Sequence, residues 1–312
     1  FASAYSPKLS MLYKLDPKHQ FRFSIGQGFK APDFRQLFLD FTNAAAGSYS
    51  VFGSAQAQQV IARLDALGQI GNLFPNYNLL KALKPEYSNG MHFTWDWKIN
   101  PSSALSLQLF RNDIKNLIES QQVGTYISGA QIFSYLNIGR AFTTGFEVEG
   151  QHRFNANWSI NGGYQYLRTG DKDQIAAIRS GTVYSKNSQG YSRLMKLNEY
   201  VGLPNTSTHK LQVKLNYNSP KGHYLNVRAI YRSRWAVNNN NGNEVFDNGD
   251  VFASGYVAIN SAAGKSFKNG VSIQGGIDNI TNYIDAANLP NLPGRTFYTS
   301  IKYELQRKNK IK

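Results

Sequence analysis

Along the C-terminal third of the chain, apolar and polar side chains alternate with a period of two, and this pattern restricts the region to β-sheet. The segments 210–217, 271–278 and 297–305 carry apolar side chains at nearly every second position, with polar ones between them. Successive side chains of a strand point to opposite faces, so each segment has one apolar face and one polar face. The alternation therefore predicts a sheet that separates water from either hydrocarbon or a protein core.

Composition favours hydrocarbon over a protein core. The chain has 312 residues and no cysteine, which excludes a disulfide framework and a thiolate metal site. Its mean hydropathy is -0.43, and it lacks the apolar run of about 18 or more residues that a membrane helix needs. A membrane-spanning barrel needs no such run, because its strands are apolar on one face only. The 19 Tyr and 19 Phe residues suit the aromatic girdles of a barrel; a soluble β-sandwich is the alternative.

Short and long connections alternate between the predicted strands. About eleven strands are predicted, near 3–15, 18–29, 86–99, 103–118, 135–154, 157–168, 207–218, 222–233, 252–266, 270–280 and 295–306. Turn-forming sequences such as Asp16-Pro17 and Asn155-Ala156-Asn157 mark the short links. The long links run near 30–85, 119–134, 169–206, 234–251 and 281–294. Outer-membrane barrels have short periplasmic turns and long extracellular loops, so we predict an all-β fold, a transmembrane antiparallel β-barrel.

Six short motifs, taken together and in this order, resemble the signatures of the TonB-dependent outer-membrane receptors. Each motif is weak alone, but the order extends over residues 26–305, which is nearly the whole chain. They are GFKAP at 28–32, the split pair NYNL at 76–79 and LKPE at 83–86, NDI at 112–114, Asn137 with GFEVE at 145–149, DNITN at 278–282, and PGRTF at 293–297.

The resemblance implies a larger protein than the chain in hand. Members of this family have a 22-stranded barrel that is plugged by an N-terminal globular domain. Residues 1–306 would then be the C-terminal half of the barrel, with a long extracellular loop at 30–85, and residues 307–312 a basic periplasmic tail. Phe1 would be an internal residue of a longer precursor, and the plug would contact the TonB complex from outside this chain.

The net charge of +15 raises the question of nucleic-acid binding. The 34 Lys and Arg residues are scattered over strands and loops instead of clustering on one element, which argues against a nucleic-acid partner. Attraction to lipopolysaccharide in the outer membrane, or to an anionic ligand inside the barrel, accounts for the charge more simply. A surface lipoprotein is a further partner that the sequence leaves open.

The 30–85 segment is the main candidate for ligand capture. Ser54, followed by apolar residues at helical spacing and then by Gly68, predicts a short amphipathic helix inside it. Long loops with their own secondary structure are commonly lids or binding loops. The predicted ligand-binding residues are Arg35, Tyr49, Phe52 and Tyr77, with Arg234 and Trp235 from a later loop. The competing interpretation is that these side chains only pack the loops together.

The histidines bear on the identity of the cargo. Heme receptors that resemble this chain carry a coordinating histidine between the first two motifs, and residues 33–83 contain none. A ferric siderophore needs no protein ligand for its iron, so it is the favoured cargo. Cobalamin, heme and an oligosaccharide are the alternative cargoes for a receptor of the same fold. No cofactor is expected.

An enzyme, a metal site and a passive porin are the remaining alternatives. The loop acids Asp171, Asp173, Glu244, Asp247 and Asp250 have no loop histidine nearby in sequence, so we predict no catalysis. The segment 243–250 lacks the ligand spacing and the closing Glu of an EF-hand, so we predict no metal site. A passive porin or a barrel hydrolase is the alternative outside the receptor class.

Overall fold

Eleven long strands form one antiparallel sheet in which each strand pairs with its neighbours in the sequence. The structure, a computed structural model, describes residues 5–43, 49–186, 189–239, 243 and 245–304. The strands are β1 (Lys8–Lys14), β2 (His19–Lys30), β3 (Glu86–Asn100), β4 (Ser103–Tyr126), β5 (Gln131–Arg153), β6 (Trp158–Asp171), β7 (His209–Asn218), β8 (His223–Arg232), β9 (Tyr256–Ser266), β10 (Val271–Asp278) and β11 (Thr296–Tyr303). The predicted all-β fold with about eleven antiparallel strands is confirmed. Within the described residues, β1 and β11 each pair on one side only, so the wall is open.

Asx turns close the short connections at one end of the sheet. The Asp16 carboxylate accepts hydrogen bonds from two backbone amides, those of Lys18 and His19, at 2.7 Å each. The Asn155 side-chain oxygen likewise accepts hydrogen bonds from the backbone amides of Asn157 and Trp158, at 2.9 Å each. A side chain that satisfies the amides of a tight turn fixes the turn locally. The turn chemistry of the sequence therefore sets which end of the sheet has the short links.

The polar face of the sheet is concave. Gln20, Asp96, Ser106, Glu149 and Gln212 occupy five different strands, and a cavity of about 850 Å³ touches all of them. Cross-strand pairing places them in one row, which includes a glycine on β6. One cavity can touch such a row only if the sheet curves around it. The polar register thus faces the inside of the curved wall.

The opposite face is apolar and points outward. Met11 on β1 is 61% exposed, and Ile273 on β10 is 47% exposed. Aromatic rings stack along this face, for example Phe21 with Phe93 at 6.1 Å between ring centroids. An exposed apolar band on the convex side, with polar side chains inside, is the arrangement of a transmembrane barrel.

One predicted loop is wrong. The segment 119–134 was expected to be a long connection, but β4 continues to Tyr126 and β5 begins at Gln131, so only a tight turn separates them. The extended hairpin is stabilised at both edges by strands of the 31–85 segment. Tyr49–Phe52 pairs in parallel with β5, and Ile70–Leu73 pairs antiparallel with β4. This pairing connects residues that are far apart in sequence, so no local pattern announces it.

In the part of the chain that the structure describes, three α-helices and nine smaller elements belong to the long connections. The helix predicted after Ser54 is confirmed as α2 (Ala57–Ala66), and Gly68 with φ +67° follows its end. Among the described residues, none of the helices has the length and apolar character needed to cross a bilayer. The predicted basic tail, 307–312, lies outside the described residues. The helices are α1 (Phe34–Phe38), α2 (Ala57–Ala66) and α3 (Lys172–Arg179); the smaller elements are strands Phe41–Asn43, Tyr49–Phe52, Ile70–Leu73, Tyr184–Lys186, Ser192–Leu194, Trp235–Asn238 and Val251–Ala253 and the 3-10 turns Pro75–Leu79 and Leu197–Glu199.

Candidate functional site

The 31–85 segment and the distal part of the β4–β5 hairpin form a small folded unit at the rim of the wall. We call residues 31–43, 49–85 and 117–137 the first rim cluster. Its sheet runs in the order Phe41–Asn43, Tyr49–Phe52, β5, β4, Ile70–Leu73, and α2 contributes to the apolar core beside it. The buried core residues are Phe52, Ala57, Ile61, Leu80, Val123, Ile132 and Leu136. A loop with a core of its own presents a preformed surface.

Three of the four predicted ligand-binding residues in the first rim cluster lie in or beside its core, with different exposure. Phe52 is 7% exposed and belongs to the core, so its position favours packing over ligand contact. Tyr49 is half-buried, and its ring meets that of Phe133 edge-on at 6.1 Å. Tyr77 is half-buried and packs against the same core. Contact with a ligand stays a prediction for all three, and only the two tyrosines retain accessible surface for it.

Arg35 lies on α1, a short helix that also carries an exposed pair of aromatic rings, here called the aromatic patch. The rings of Phe34 and Phe38 are 5.4 Å apart and are 75% and 46% exposed. Asp33 caps the helix through the Gln36 amide at 2.7 Å, which fixes the backbone below the patch. The Arg35 side chain is exposed. The short helix thus presents a guanidinium and two aromatic rings on a capped turn.

The motif residues that suggested the family resemblance anchor the first rim cluster to the wall. The Asn137 side chain accepts from the Lys84 amide at 2.7 Å and donates to the Lys84 carbonyl at 2.9 Å. It also donates to the Asn116 carbonyl at 2.7 Å. The Glu86 carboxylate pairs with Lys30 at 3.1 Å. Three motifs that are distant in sequence therefore meet where the 31–85 segment leaves and rejoins the sheet.

Two further motifs close the last long connection in the same way. Asn279 has φ +51° and is 4% exposed. Its side chain donates to the Tyr283 carbonyl at 2.7 Å and to the Pro293 carbonyl at 2.9 Å. Asn282, with φ +53°, accepts from the Arg295 amide at 2.8 Å. These motif residues are structural fasteners of the rim, so their presence identifies the architecture and not the ligand.

The connections 172–208 and 233–255 pack together into a second unit, which we call the second rim cluster. The apolar core that joins the two connections is formed by the buried residues Ile178, Met195 and Val245. The Tyr200 hydroxyl accepts from the Asp171 amide at 2.7 Å and donates to Gln174 at 3.2 Å. Burial raises the pKa of Tyr200 to about 12.

An ion pair adds to the second rim cluster. The Arg193 guanidinium donates to the Glu199 carboxylate at 2.9 Å. This hydrogen bond holds the pKa of Glu199 below its usual range. Among the residues that the structure describes, no three His, Asp or Glu side chains are grouped as a metal ion would require.

The other two predicted ligand-binding residues lie in the second rim cluster. Trp235 is 3% exposed, and the guanidinium carbon of Arg232 lies 3.8 Å from its ring centroid. Arg232 also donates to Ser207 and to the Asn205 carbonyl. Arg234 is exposed and lies over the Phe252 ring at 4.4 Å.

Arg232 is a residue that the sequence reasoning missed. Its available signal was its position in the polar register of β8. The six predicted residues therefore divide between two units, with Arg35, Tyr49, Phe52 and Tyr77 in the first rim cluster.

Comparison with known proteins gives a family and a set of structural relatives. The family model described as "TonB dependent receptor-like, beta-barrel" matches residues 1–280. No match is found among curated protein sequences. Three of the similar solved structures are siderophore or iron-complex receptors. The siderophore receptor PirA from Pseudomonas aeruginosa has 15% identity and a TM-score of 0.60, covering 96% of this chain and 41% of its own.

The other two comparisons give the same picture. A variant of the ferric enterobactin receptor PfeA from Pseudomonas aeruginosa, in complex with enterobactin, has 18% identity and a TM-score of 0.63, with 96% of this chain and 40% of its own covered. The ferric-catecholate import receptor Fiu from E. coli K12 has 17% identity and a TM-score of 0.55, with 95% and 34% covered. The chain thus spans roughly two fifths or less of these relatives, and identities this low establish the fold alone.

Proposed function

We propose that this chain, a member of the TonB-dependent receptor β-barrel family, forms part of a receptor that imports a ferric siderophore. It would supply part of the barrel wall and of the outer vestibule. Barrels of this family lie in the bacterial outer membrane, and the chain has the apolar convex face that this location requires. The receptor would be driven by the TonB complex, acting through a plug outside this chain.

The observation that carries the proposal is the pair of folded rim clusters above a polar concave wall. A passive pore needs a lumen but no preformed rim surface. Here the first rim cluster has its own core and is fastened to the wall by Asn137 and Glu86. A surface held in this way suits capture of a scarce ligand, because less conformational entropy is lost on binding.

The rim chemistry supports an anionic aryl-rich chelate as the cargo. Arg35 is exposed on the same short helix as the exposed rings of Phe34 and Phe38, and Arg234 lies over the Phe252 ring in the second rim cluster. Guanidinium groups bind anionic oxygens, and aromatic rings stack on planar aryl groups. Solved structures of similar fold include receptors for ferric enterobactin and ferric catecholates. Both observations favour a ferric siderophore over cobalamin or heme.

Import by this receptor requires partners outside this chain. The proposed sequence is capture at the rim, occlusion by a plug inside the barrel, and release when the TonB complex displaces the plug. Lipopolysaccharide would surround the outer end of the wall, and a surface lipoprotein is a further predicted partner. The proposal includes no catalytic step, so the receptor would release its cargo chemically unchanged.

Growth and uptake experiments test the proposal. Deleting the receptor gene should abolish uptake of ⁵⁵Fe-labelled ferric enterobactin, or of another ferric catecholate, under iron limitation. Deleting the TonB gene should have the same effect. Uptake that survives loss of TonB would favour the passive porin. If the deletion instead impairs growth only where cobalamin or heme is the limiting nutrient, that nutrient and not a ferric siderophore is the cargo. Turnover of a lipid or peptide by the purified receptor would favour a hydrolase.

A further inference from the structure

Four cationic side chains form two opposed pairs on the concave face of the wall. Lys210 on β7 is the cross-strand partner of Arg232 on β8, and Lys214 is the partner of Arg228. All four share the polar register with Gln212, which lines the cavity. We call these four residues the cationic ladder. One pair lies beside the second rim cluster, and the other lies deeper in the wall.

The cationic ladder has no acidic partner on the strands around it. Neither β7 nor β8 contains Asp or Glu. The polar-register partners on β6 are Gln165, Gly163 and Asn161, which are neutral. On β9 the partners of the ladder strands are likewise uncharged in this register. None of the ion pairs among the described residues includes a ladder residue.

Directly opposed like charges destabilise a sheet. The acids closest to the ladder along the paired positions lie two strands away. Glu147 on β5 lies beyond Gln165 from Lys210 and accepts a hydrogen bond from that Gln165. Asp278 at the end of β10 lies beyond Asn260 from Arg228. Arg228 donates only to the neutral Gln212, at 3.0 Å. Lys210, Lys214 and Arg228 are exposed on the concave side. Exposure on the concave side makes this repulsion tolerable, and it leaves the positive charge available to an anion.

The spacing of the cationic ladder suits stepwise movement of one polyanion. Opposed side chains on neighbouring strands start about 5 Å apart, so each pair can contact two oxygens of the same ligand. The two pairs are separated by four residues along each strand, or roughly 13 Å. Trp235 and Ser207 hold the guanidinium of Arg232 at the rim end. The ladder therefore begins at the candidate binding surface and continues inward.

We propose that the cationic ladder is a transit site for a polyanionic metal chelate, which it binds through anionic oxygens after the rim clusters release it. This inference rests on the proposed import function. It adds a site on the concave surface of the wall, deeper than the rim, with Lys214 and Arg228 as its inner pair. The other anionic occupant would be carboxylates of a protein segment inside the lumen, and the experiment is arranged to tell the two apart.

The first test separates capture from transit. The complete receptor carrying Lys214→Gln and Arg228→Gln is expressed in cells, with ⁵⁵Fe-labelled ferric enterobactin as the probe. We expect binding to energy-depleted cells to stay within about twofold, and the uptake rate to fall by about tenfold, in the range of electrostatic effects on association rates. The exchange variant Lys214→Arg with Arg228→Lys should retain uptake, because it keeps both charges.

Matched controls make the result specific. Lys302 also lies in the polar register, on β11, but it already pairs with Glu304, so Lys302→Gln should leave uptake unchanged. Normal uptake by the double Gln variant at equal receptor abundance would overturn the transit site. Equal defects in the double Gln and exchange variants would also overturn it, because then charge is not the cause. Failure of the unsubstituted receptor to import the probe would overturn the proposed cargo instead, and the footprint below then decides the ladder.

The second test reads the site directly in the purified complete receptor. Acylation of lysine amines is followed by mass spectrometry with and without ferric enterobactin, and separately with inorganic pyrophosphate as a simple polyanion. We expect at least one of these anions to slow the reaction of Lys214 several-fold while Lys302 reacts as before. Equal rates at Lys214 with every probe would overturn the ladder. Two results together would also overturn it: Lys214 is protected from acylation without any probe, and the double Gln variant has a lower unfolding temperature. The occupant of the ladder would then be a protein segment.

Discussion

Asparagine side chains fasten the long connections to the wall. Asn116, Asn279 and Asn282 have positive φ angles of 57°, 51° and 53°, a conformation that asparagine tolerates better than most residues. Asn137 joins two backbone segments through three hydrogen bonds. These residues act on the rim through the backbone, so their effect on ligand binding is indirect and should appear first as a change in loop stability.

We expect Asn137→Ala to loosen the 31–85 segment without unfolding the wall. The change removes the side chain that hydrogen-bonds the backbone amide and the backbone carbonyl of Lys84. We expect this loss to lower the local stability by about 1–3 kcal/mol. Protease digestion of the receptor should cleave the segment faster in the variant. Asn72→Ala, at an exposed position of the same segment, is the matched control. Equal cleavage rates for Asn137→Ala and the unsubstituted protein would show that the clamp does not hold the loop.

Tyr200 should make the second rim cluster sensitive to alkali. Its pKa is raised from 10.0 to about 12 by burial, so the fold favours the neutral phenol. The corresponding stability is complete below pH 10 and is lost as pH rises towards about 12. Hydrogen exchange in 172–208 should therefore accelerate over this interval beyond its intrinsic rise.

Tyr200→Phe supplies the control for that prediction. The variant loses two hydrogen bonds and about 1–2 kcal/mol at neutral pH, but it should lack the additional alkaline loosening. Tyr184→Phe, at a ring that is 55% exposed, should retain it. The same alkaline profile in Tyr200→Phe would assign the effect to another group.

At the scale of elements, local sequence patterns identified the strands of the wall, and pairings distant in sequence escaped them. Period-two alternation, together with turn-forming sequences, located the eleven wall strands, and Ser54 with Gly68 located α2. The extension of β4 and β5 was missed because its edges are covered by Tyr49–Phe52 and Ile70–Leu73, which come from a different part of the chain. Such pairing depends on the folded loop as a whole.

The candidate site was predictable only in part, for a related reason. Sequence identifies aromatic and arginine residues in loops, but it does not separate the buried Phe52 and Trp235 from exposed side chains. It also gives no indication that Trp235 lies against Arg232 at the end of β8. Burial and cross-strand partnership are properties of the assembled rim, whereas residue type is a property of the chain.

The core of the first rim cluster should be separable from the wall. Ile61 is fully buried in α2, so Ile61→Ala should destabilise the cluster by about 2–5 kcal/mol. Hydrogen exchange should increase in 49–73. The folded wall should persist, which is seen as the different migration of unheated and heated receptor on denaturing gels. Leu67→Ala, at a side chain that is 62% exposed, is the control. Loss of the folded wall in Ile61→Ala would mean that the cluster and the wall fold as one unit.

The half-buried tyrosines of the first rim cluster provide a test of ligand contact. Replacing Tyr49 and Tyr77 with Ala should weaken binding of ferric enterobactin by roughly 1 kcal/mol or more if their rings contact it. Protease protection of the 31–85 segment is measured in the same variant, because both rings also pack within the cluster. Unchanged affinity with the segment still protected would reject contact by these two residues.

At the scale of the whole molecule, the chain is a curved wall with an apolar outside, a polar inside and two folded clusters along one rim. We propose that residues 1–306 supply the C-terminal half of a receptor barrel and that 307–312 form a basic periplasmic tail. The unpaired edges of β1 and β11 are then where the other half would join, because open sheet edges are not stable within a bilayer. Both rim clusters would face the outside of the cell.

Cysteine labelling in intact cells tests the membrane orientation of this wall most directly. This chain contains no cysteine, so each single substitution adds one labelling site to it, and the unsubstituted receptor gives the background. Ser128→Cys lies at the β4–β5 turn and Ala287→Cys in the last long connection; Ala156→Cys and Lys221→Cys lie in short turns. A membrane-impermeant maleimide should label the first two in intact cells and the last two only after the outer membrane is permeabilised. Labelling of all four in intact cells, or of the short turns alone, would contradict the account.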